Sequence, residues 1–597
     1  MPPTASPSLD ALQIAAHGPH NEVSPTHGMD NDMAVAALVN ELFSRAKDAR
    51  RGQMQQWKKN YRALHNRAYR EGKSGWDEDP AVNEIWPVIA SSVAWMTDQR
   101  PTTEVTPVMP PFSAYADFYQ SLANDMNTAL SSASSVYKLK AEIAKVLWDV
   151  HTYGIGYYKN CWEGHLADGL GDATYRRVDP FSVYPDPHAK NEEEANYWFE
   201  GRTMTVAEVE RAWPGAIKKL NYQYVDTRME SAPHKLDQTV DDHQPRVAMG
   251  ALTPGNSTLY GNTGGANNTT DMPTVSVIEA YIRGSVFDRV TDGVVRVADD
   301  WRCIVVAGNT VLMDESCDDV NAFGTQPYTR QVLMDTGEWY GPCLVEMLIP
   351  LQRIINWLLG ALNRNIYLMG NPVLLEDPRS VSRNRKHTIR PGQRIEATTQ
   401  QVGWLNPPQI HPQIVMPLIS YYKGEIETIT GLSAMVRGFA PTGRNASSVL
   451  DSVQDAAFVR VRASLREMEN SLNTVTHRQA ATIAEFYTEP RLMSLIGPDG
   501  RKLHQSLRAR HFYAIDEDKP TERIPLRFTL VADTGSELLT SKMARANQSV
   551  ELYKIGAIDE IEVLKAQQWP NWSVVSQRVM ERNNQLAMMG EDAKKKK

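Results

Sequence analysis

The chain has 597 residues, of which 42% are hydrophobic and 22% are charged, and its formal net charge is −8. Length and composition are those of a folded protein of several domains, which excludes a chain that is disordered throughout. The acidic balance excludes a uniformly basic nucleic-acid coat, so any contact with DNA or RNA has to come from local basic patches.

The first half of the chain alternates between helical and extended patterns. Residues 1–31 are rich in Pro, Ser and His and are predicted to form a disordered tail. Apolar residues at three-to-four spacing or period-two alternation predict the elements that follow. Helices are expected over 32–68, 83–97, 112–133, 139–151 and 206–213, and strands over 103–107, 157–162, 175–178, 275–282, 294–297 and 303–306. A polar, Gly-rich and Asn-rich insertion at about 228–273 is predicted to be flexible.

Long helices dominate the chain from residue 340 onward. We predict a helix over 341–369, which Pro350 should kink, a compact interlude to residue 412, and a second helix over 413–429. A Gly/Pro loop over 431–443 leads into a stretch from 445 to 487 that contains no Gly or Pro. The C-terminal part is predicted to hold a strand over 524–531, helices over 538–555 and 559–568, and a frayed basic tail.

Cysteine spacing and hydropathy indicate a soluble intracellular protein. No two of the four cysteines form a CxxC pair, and the N-terminus lacks the basic and apolar regions of a signal peptide. The most apolar stretch, 344–362, contains Glu346, Gln352, Arg353 and Asn356, which a membrane helix tolerates poorly. We therefore expect no membrane span.

Motifs for catalysis, cofactors or metals are weak. The GKS sequence at 72–74 lacks the first glycine of a phosphate-binding loop, because Arg67 occupies that position. Asp179, Asp186 and His188 could hold a divalent ion, but the two carboxylates adjoin prolines and are better explained as turn formers. We predict no enzyme, no cofactor and no metal site.

Basic residues cluster in two places. Six Lys/Arg and no Asp or Glu lie between residues 379 and 394, namely Arg379, Arg383, Arg385, Lys386, Arg390 and Arg394. Charge alone leaves two interpretations equal, namely contact with phosphates or an acidic partner, and an ordinary solvated loop. Arg437 and Arg444 at the shoulders of the 431–443 loop give a weaker signal, which a symmetric ring would multiply.

The order of several segments resembles the portal, or head–tail connector, proteins of tailed bacteriophages, most closely the larger podovirus-type portals. Each segment alone is weak, but their order and spacing are specific. The segments are 83–101 ending in Arg-Pro, 178–187 (VDPFSVYPDP), 340–356 starting in Tyr-Gly, Asn371-Pro372, 430–432 (TGL), 443–448 (GRNASS) and 556–564.

The resemblance implies an α+β, mostly helical subunit with a wing, stem, clip and crown, assembled as a ring of twelve. It assigns the wing to 32–339, the stem helices to 340–369 and 413–430, the clip to 370–412, the channel loop to 431–444, the long helix and wing return to 445–537, the crown to 538–590 and a basic tail to 591–597. Glu346, Arg353 and Arg364 would then lie on the stem, the basic residues 379–394 on the clip, and Arg437 and Arg444 beside the DNA channel.

The resemblance also implies partners and location. The ring would occupy one capsid vertex of the virion after assembly in the host cytoplasm, and double-stranded DNA would pass through it without base specificity. Terminase large subunit, major capsid and scaffolding proteins, and head-completion or tail adaptors would bind to it. Two other hypotheses stay open, namely a DNA-packaging enzyme such as a terminase or nuclease, and a capsid-internal scaffold or adaptor.

Overall fold

The fold is described from a computed structural model of the chain. It describes residues 29–66, 82–98, 102–107, 116–216, 274–289, 300–370, 373–376, 394–396, 403–405, 412–431, 447–487, 491–496, 502–507, 513–515, 523–525, 528–533 and 542–556, with isolated positions beyond. The predicted tail up to residue 28, the 72–74 motif, the 228–273 insertion and the 294–297 strand lie outside these residues.

Helices contribute most of the described structure, which is mixed α and β and 60% helical. The helices of the described residues are α1 (Met29–Ala49), α2 (Arg51–Leu64), α3 (Ile85–Asp98), α4 (Ala116–Val136), α5 (Leu139–Tyr153), α6 (Val206–Ala212), α7 (Cys317–Val320), α8 (Leu344–Gly370), α9 (Pro412–Thr430), α10 (Ser447–Phe486) and α11 (Lys542–Ile555). The single helix predicted over 32–68 is thus two helices, divided at Arg50.

The strands are mostly antiparallel. They are β1 (Thr102–Pro107), β2 (Gly156–Glu163), β3 (Asp172–Val178), β4 (Val183–Pro185), β5 (Tyr197–Thr205), β6 (Thr274–Arg283), β7 (Trp301–Ala307), β8 (Thr310–Ser316), β9 (Tyr328–Gln331), β10 (Val373–Glu376), β11 (Arg394–Glu396), β12 (Gly403–Leu405), β13 (Arg491–Ile496), β14 (Lys502–Leu507), β15 (Tyr513–Ile515), β16 (Arg523–Pro525) and β17 (Phe528–Asp533). The strand predicted over 524–531 is therefore two strands, the first of which ends at a proline.

Two sheets form the centre of the N-terminal half. Strands β4 to β8 make a five-stranded sheet in chain order, and β3-β2-β9 make a three-stranded sheet. Trp198 of the larger sheet stacks on Tyr328 of the smaller one, with ring centroids 5.7 Å apart and planes 8° from parallel. Aromatic side chains, which bury a large apolar area, thus join the two sheets.

Strand β2 is buried on both faces, because alternate side chains point into different cores. Tyr157 packs in the inter-sheet core, 6.0 Å from the Trp198 ring. Its neighbour Tyr158 belongs to the helical core formed by α3, α5, α8, α9 and α10. The long helices after residue 340 are therefore continuous with the core of the N-terminal half.

Remote parts of the chain also pair directly. Strand β1 is antiparallel to β17, with Thr102 opposite Asp533 and Pro107 opposite Phe528. Helix α10 crosses β2 and β3, where Asn160 donates to the Val475 carbonyl at 2.9 Å. The C-terminal strands thus return to the N-terminal half.

Candidate assembly and channel site

The start of α8 is fixed by α2 and α5. The amide of Asn60 donates to the Thr152 carbonyl at 3.1 Å and to the Cys343 sulfur at 3.2 Å. The Cys343 thiol donates to the same Thr152 carbonyl at 2.9 Å. Burial raises the pKa of Cys343 to about 12, so this thiol is a structural group.

Two glycines bring the backbones together at the same place. Gly154 ends α5 at φ +79°, and a Cβ added to it would lie 2.4 Å from the Gly341 carbonyl oxygen. The Tyr340-Gly341 pair of the resemblance therefore has a physical role. Tyr340 packs edge-on against Trp57, with 5.6 Å between ring centroids. Gly341 has no side chain, so the backbone at the end of α5 can lie directly against it.

Amide side chains of α8 bind the segment before α3. Gln352 accepts from the Glu84 backbone N–H at 2.8 Å and donates to the Val82 carbonyl at 2.6 Å. Asn356 accepts from the Val82 N–H at 3.0 Å. Both amides are buried, and their hydrogen bonds to residues 82 and 84 show that these two polar positions are directed into the chain.

The same segment ties four helices together. Asn83 caps α3 by accepting from the backbone of Ile85 and Trp86, and its amide donates to the Leu64 carbonyl of α2 at 2.7 Å. The Glu84 carboxylate pairs with Lys423 of α9 at 2.7 Å. The sequence resemblance included the segment that begins at Asn83, but it could not show that Asn83 and Glu84 connect α2 and α3 to both α8 and α9.

Helices α8 and α9 form a hairpin with a small sheet at its end. We call the two helices the α8–α9 hairpin. Its buried α9 stripe is Val415, Ile419, Ile426 and Thr430. At the far end β10 pairs parallel to β11 and antiparallel to β12, so the predicted interlude contains a three-stranded sheet.

Much of the hairpin surface is apolar and exposed. Large apolar side chains with more than 40% relative exposure occur on both helices. They are Met347, Trp357, Ile366 and Met369 on α8, and Ile414, Met416 and Tyr421 on α9. So many exposed large apolar side chains on two paired helices favour an interaction role for the hairpin. We call these seven residues the hairpin apolar surface.

Charged residues predicted for the stem share this surface. Glu346, Arg353 and Arg364 are all exposed. Trp357, which is 64% exposed, lies on the same side of the helix between Arg353 and Arg364, and it was not among the stem residues predicted from the sequence.

Residues 344–367 of α8 are long and apolar enough to span a membrane by length and composition, with 44% of the best window buried in the chain.

The predicted basic contacts lie mostly outside the described residues. Of the segment 379–394, Arg394 alone is described, as the first residue of β11. Arg437 and Arg444 lie outside the description as well. The structure brings the flanking helices α8, α9 and α10 into one core but leaves the roles of these arginines as predictions.

The aspartates that could have suggested a metal site are turn formers. Asp179 accepts from the Phe181 N–H at 3.1 Å, and Asp186 accepts from the His188 N–H at 3.0 Å. The guanidinium of Arg50 completes the turn by donating to the carbonyls of Pro180 and Phe181, both at 2.8 Å. Within the described residues no group of His, Cys, Asp and Glu has the arrangement of a metal site.

Among the described residues, a dense group of buried ionisable side chains lies between the two sheets. We call Lys159, Glu200, Arg202 and Glu279 the paired-charge cluster. Lys159 bonds to Glu200 at 3.0 Å and to Glu279 at 2.7 Å, and Arg202 bridges the same two carboxylates at 2.8 and 2.6 Å. Tyr328 also donates to Glu200 at 2.6 Å.

Opposite charges fix the ionisation of the cluster. Burial alone would raise the pKa of Glu200, but Arg202 and Lys159 hold it well below its usual range. Burial would likewise lower the pKa of Lys159, but Glu200 and Glu279 raise it. All four side chains are thus charged and mutually satisfied, which suits a structural joint better than proton transfer.

Taken together, these features describe a two-sheet body that carries a helical hairpin with exposed apolar side chains. Residues 40–597 match the profile of the phage P22-like portal protein family, so the chain belongs to that family of head–tail connector proteins. Comparison with curated proteins gives no match. The family is structural and non-enzymatic, forms rings that are typically dodecamers, and occupies the capsid vertex of the virion.

Proposed function

We propose that this chain forms a twelve-subunit portal ring that conducts DNA during packaging and ejection. The observation that carries the proposal is the hairpin apolar surface. Trp357 and Ile414 are 64% and 67% exposed to water in the single chain, and contact with a second copy would bury this apolar area. In this arrangement α8 and α9 are the stem, and neighbouring stems pack side by side around the channel.

The remaining segments follow from that arrangement. Residues 32–339 form the wing, which the 445–537 return completes; the pairing of β1 with β17 supports this assignment. Residues 370–412 form the clip around the β10–β12 sheet, and residues 538–590 form the crown. The loop 431–444 places Arg437 and Arg444 at the channel, where they hold DNA through phosphates without base specificity.

The clip is the docking platform in this account. Its basic residues, from Arg379 to Arg394, contact the terminase large subunit during packaging and the head-completion or tail adaptors afterward. Major capsid and scaffolding proteins contact the wing. The ring assembles in the host cytoplasm and needs no cofactor, metal or membrane.

Electron microscopy of the purified chain tests the ring and its channel. We expect rings of about twelve copies with a central hole, as is typical of the family. Monomers without a hole, or ATP turnover by the purified chain, would contradict the proposal and favour a packaging enzyme.

Charge reversal tests the clip separately. Arg383→Glu, Arg385→Glu and Lys386→Glu together should prevent terminase docking and DNA packaging while the rings stay intact. A control with the same charge change is Lys190→Glu, Arg211→Glu and Lys554→Glu, three exposed wing or C-terminal positions. Normal packaging by the first variant would show that the clip assignment is wrong.

A further inference from the structure

The region from Arg45 to Lys73 is the most basic part of the chain for its length. It contains ten Lys/Arg and two Asp/Glu, in a protein whose net charge is −8. Helix α2 lies inside this region and has no acidic residue at all. A segment this basic in an acidic protein indicates a polyanion-binding surface when its charges are exposed on one face.

The buried face of α2 holds the helix firmly. Met54, Trp57 and Leu64 are at most 2% exposed and pack into the two main cores. Asn60 is hydrogen-bonded to Thr152, as described above. Helix α2 is therefore a rigid platform, and its outward residues are held in fixed positions.

The opposite face of α2 is a row of positive charges. Arg51, Lys58, Lys59 and Arg62 follow one side of the helix; we call them the α2 basic stripe. Arg51, Lys59 and Arg62 are exposed, and Lys58 is half-buried. Among the described residues no carboxylate forms an ion pair with Arg51, Lys58 or Lys59, so their charges are available to a partner.

The dimensions of the stripe suit a duplex backbone. From Arg51 to Arg62 the helix rises about 16 Å. The same length of double-stranded DNA carries roughly ten phosphate charges. The four side chains of the stripe are all Lys or Arg, the residue types that neutralise phosphates, so we expect contact mainly through phosphates.

We propose that the α2 basic stripe is a second DNA-binding surface, separate from the channel loop, that holds duplex DNA on the wing without sequence specificity. This proposal rests on the proposed portal ring, which supplies both the choice of DNA as the polyanion and the repetition of the stripe. In a ring each copy repeats the stripe, so weak contacts by single stripes add to a strong one.

A closed minicircle of double-stranded DNA separates this surface from the channel, because a closed circle cannot be threaded through an assembled ring. Binding of the minicircle to the full-length protein is measured by gel shift over a series of salt concentrations. The test variant is Arg51→Gln, Lys58→Gln and Lys59→Gln. The matched control is Lys190→Gln, Arg211→Gln and Lys554→Gln, which removes the same charge from exposed positions elsewhere.

We expect the stripe variant to bind the minicircle about tenfold more weakly or worse, and the slope of log affinity against log salt to fall by roughly three. The control should bind like the unchanged protein. Equal losses in both variants, or no loss in the stripe variant, would overturn the proposal.

Two further arms identify competing roles of the stripe. Binding of poly-glutamate but not of the minicircle would assign the stripe to an acidic protein and overturn the DNA assignment. Rings that dissociate only in the stripe variant would assign it to the contact between copies, again overturning it. Electron microscopy of the same samples reports ring formation, so a failure of the portal proposal is seen separately from loss of minicircle binding.

Discussion

The inter-sheet region buries charged side chains, whereas the α8–α9 hairpin exposes apolar ones. Between the sheets, four charged side chains are buried, yet each finds its partners within one chain. On the hairpin, large apolar side chains such as Trp357 stay exposed although a core is close by. The first region is complete in a single chain, whereas the proposed ring would cover the second, so the comparison contrasts folding with the proposed assembly.

Breaking the paired-charge cluster should have the largest effect on folding. Lys159→Met leaves Glu200 and Glu279 buried with one cation fewer, so we expect the free energy of unfolding to fall by about 3–5 kcal/mol. Urea denaturation of the purified chain measures the loss. Arg45→Met, which breaks an exposed pair with Glu41, is the control and should change stability by less than about 0.5 kcal/mol. Similar values for both would show that the cluster is not a structural joint.

The contact between Gly154 and Gly341, where the end of α5 meets the start of α8, should give the second-largest loss of folding stability when it is disturbed. Gly154→Ala places a Cβ 2.4 Å from the Gly341 oxygen at a positive φ, so we expect destabilisation of about 2 kcal/mol or more. Gly52→Ala lies in helix α2 with open space around it and should be neutral or stabilising by up to about 1 kcal/mol. Thermal unfolding of the two variants compares them directly; an unaffected Gly154→Ala would contradict the close contact.

The helical core should respond to acid through His151. Its ring bonds to Ser92 at 2.8 Å and to the Leu147 carbonyl at 2.7 Å, and burial lowers its pKa despite the second bond. Because the folded pKa lies below the unfolded one, stability is kept above about pH 6.5 and lost as pH falls toward the folded value. The loss is at most about 1.4 kcal/mol per pH unit.

Comparison with His151→Gln isolates this contribution. Other groups titrate in the same range, since burial raises the pKa of Asp149 to about 7 against the pull of Arg177. The difference in unfolding free energy between the two proteins cancels such groups. The advantage of the unchanged protein over His151→Gln should shrink below pH 6.5, and a constant difference from pH 5 to 7.5 would show that His151 does not titrate.

The smallest effect on folding is expected at the hairpin apolar surface. Trp357→Ser and Ile414→Ser remove exposed side chains, so the stability of the single chain should change by less than about 0.5 kcal/mol each. Ring formation should nevertheless be lost in the double variant, as gel filtration would show. Val415→Ser, at a buried position of the same hairpin, is the contrasting control and should destabilise the fold. Intact rings of the double variant would show that neighbours meet elsewhere.

Much of the fold could be predicted from periodicity, and the failures have physical causes. The helices over 341–369, 413–429 and 445–487 were predicted within a few residues of α8, α9 and α10, because their apolar spacing is regular. Short strands such as β8 to β12 were missed, since three to seven residues give too little alternation to recognise. Arg50 lies between the first two helices, and its side chain binds the carbonyls of Pro180, Phe181 and Val183, a tertiary contact that local pattern does not encode.

The candidate site was predicted less completely. The stem prediction named Glu346, Arg353 and Arg364 but not Trp357, because an apolar residue on a helix is expected to be buried. Gln352 and Asn356 were noted in the sequence only as polar interruptions of an apolar stretch, whereas the structure shows that both are buried and bind residues 82–84. The sequence shows which residues are polar or apolar. Whether each of them is buried, hydrogen-bonded or exposed depends on the packing of distant segments.

Mass photometry of the purified full-length chain shows whether neighbouring copies cover the hairpin apolar surface. We expect particles near twelve times the subunit mass of 67.0 kDa, and the Trp357→Ser, Ile414→Ser variant should give single subunits. Single subunits of the unchanged protein at every concentration, or full rings of the variant, would contradict this expectation.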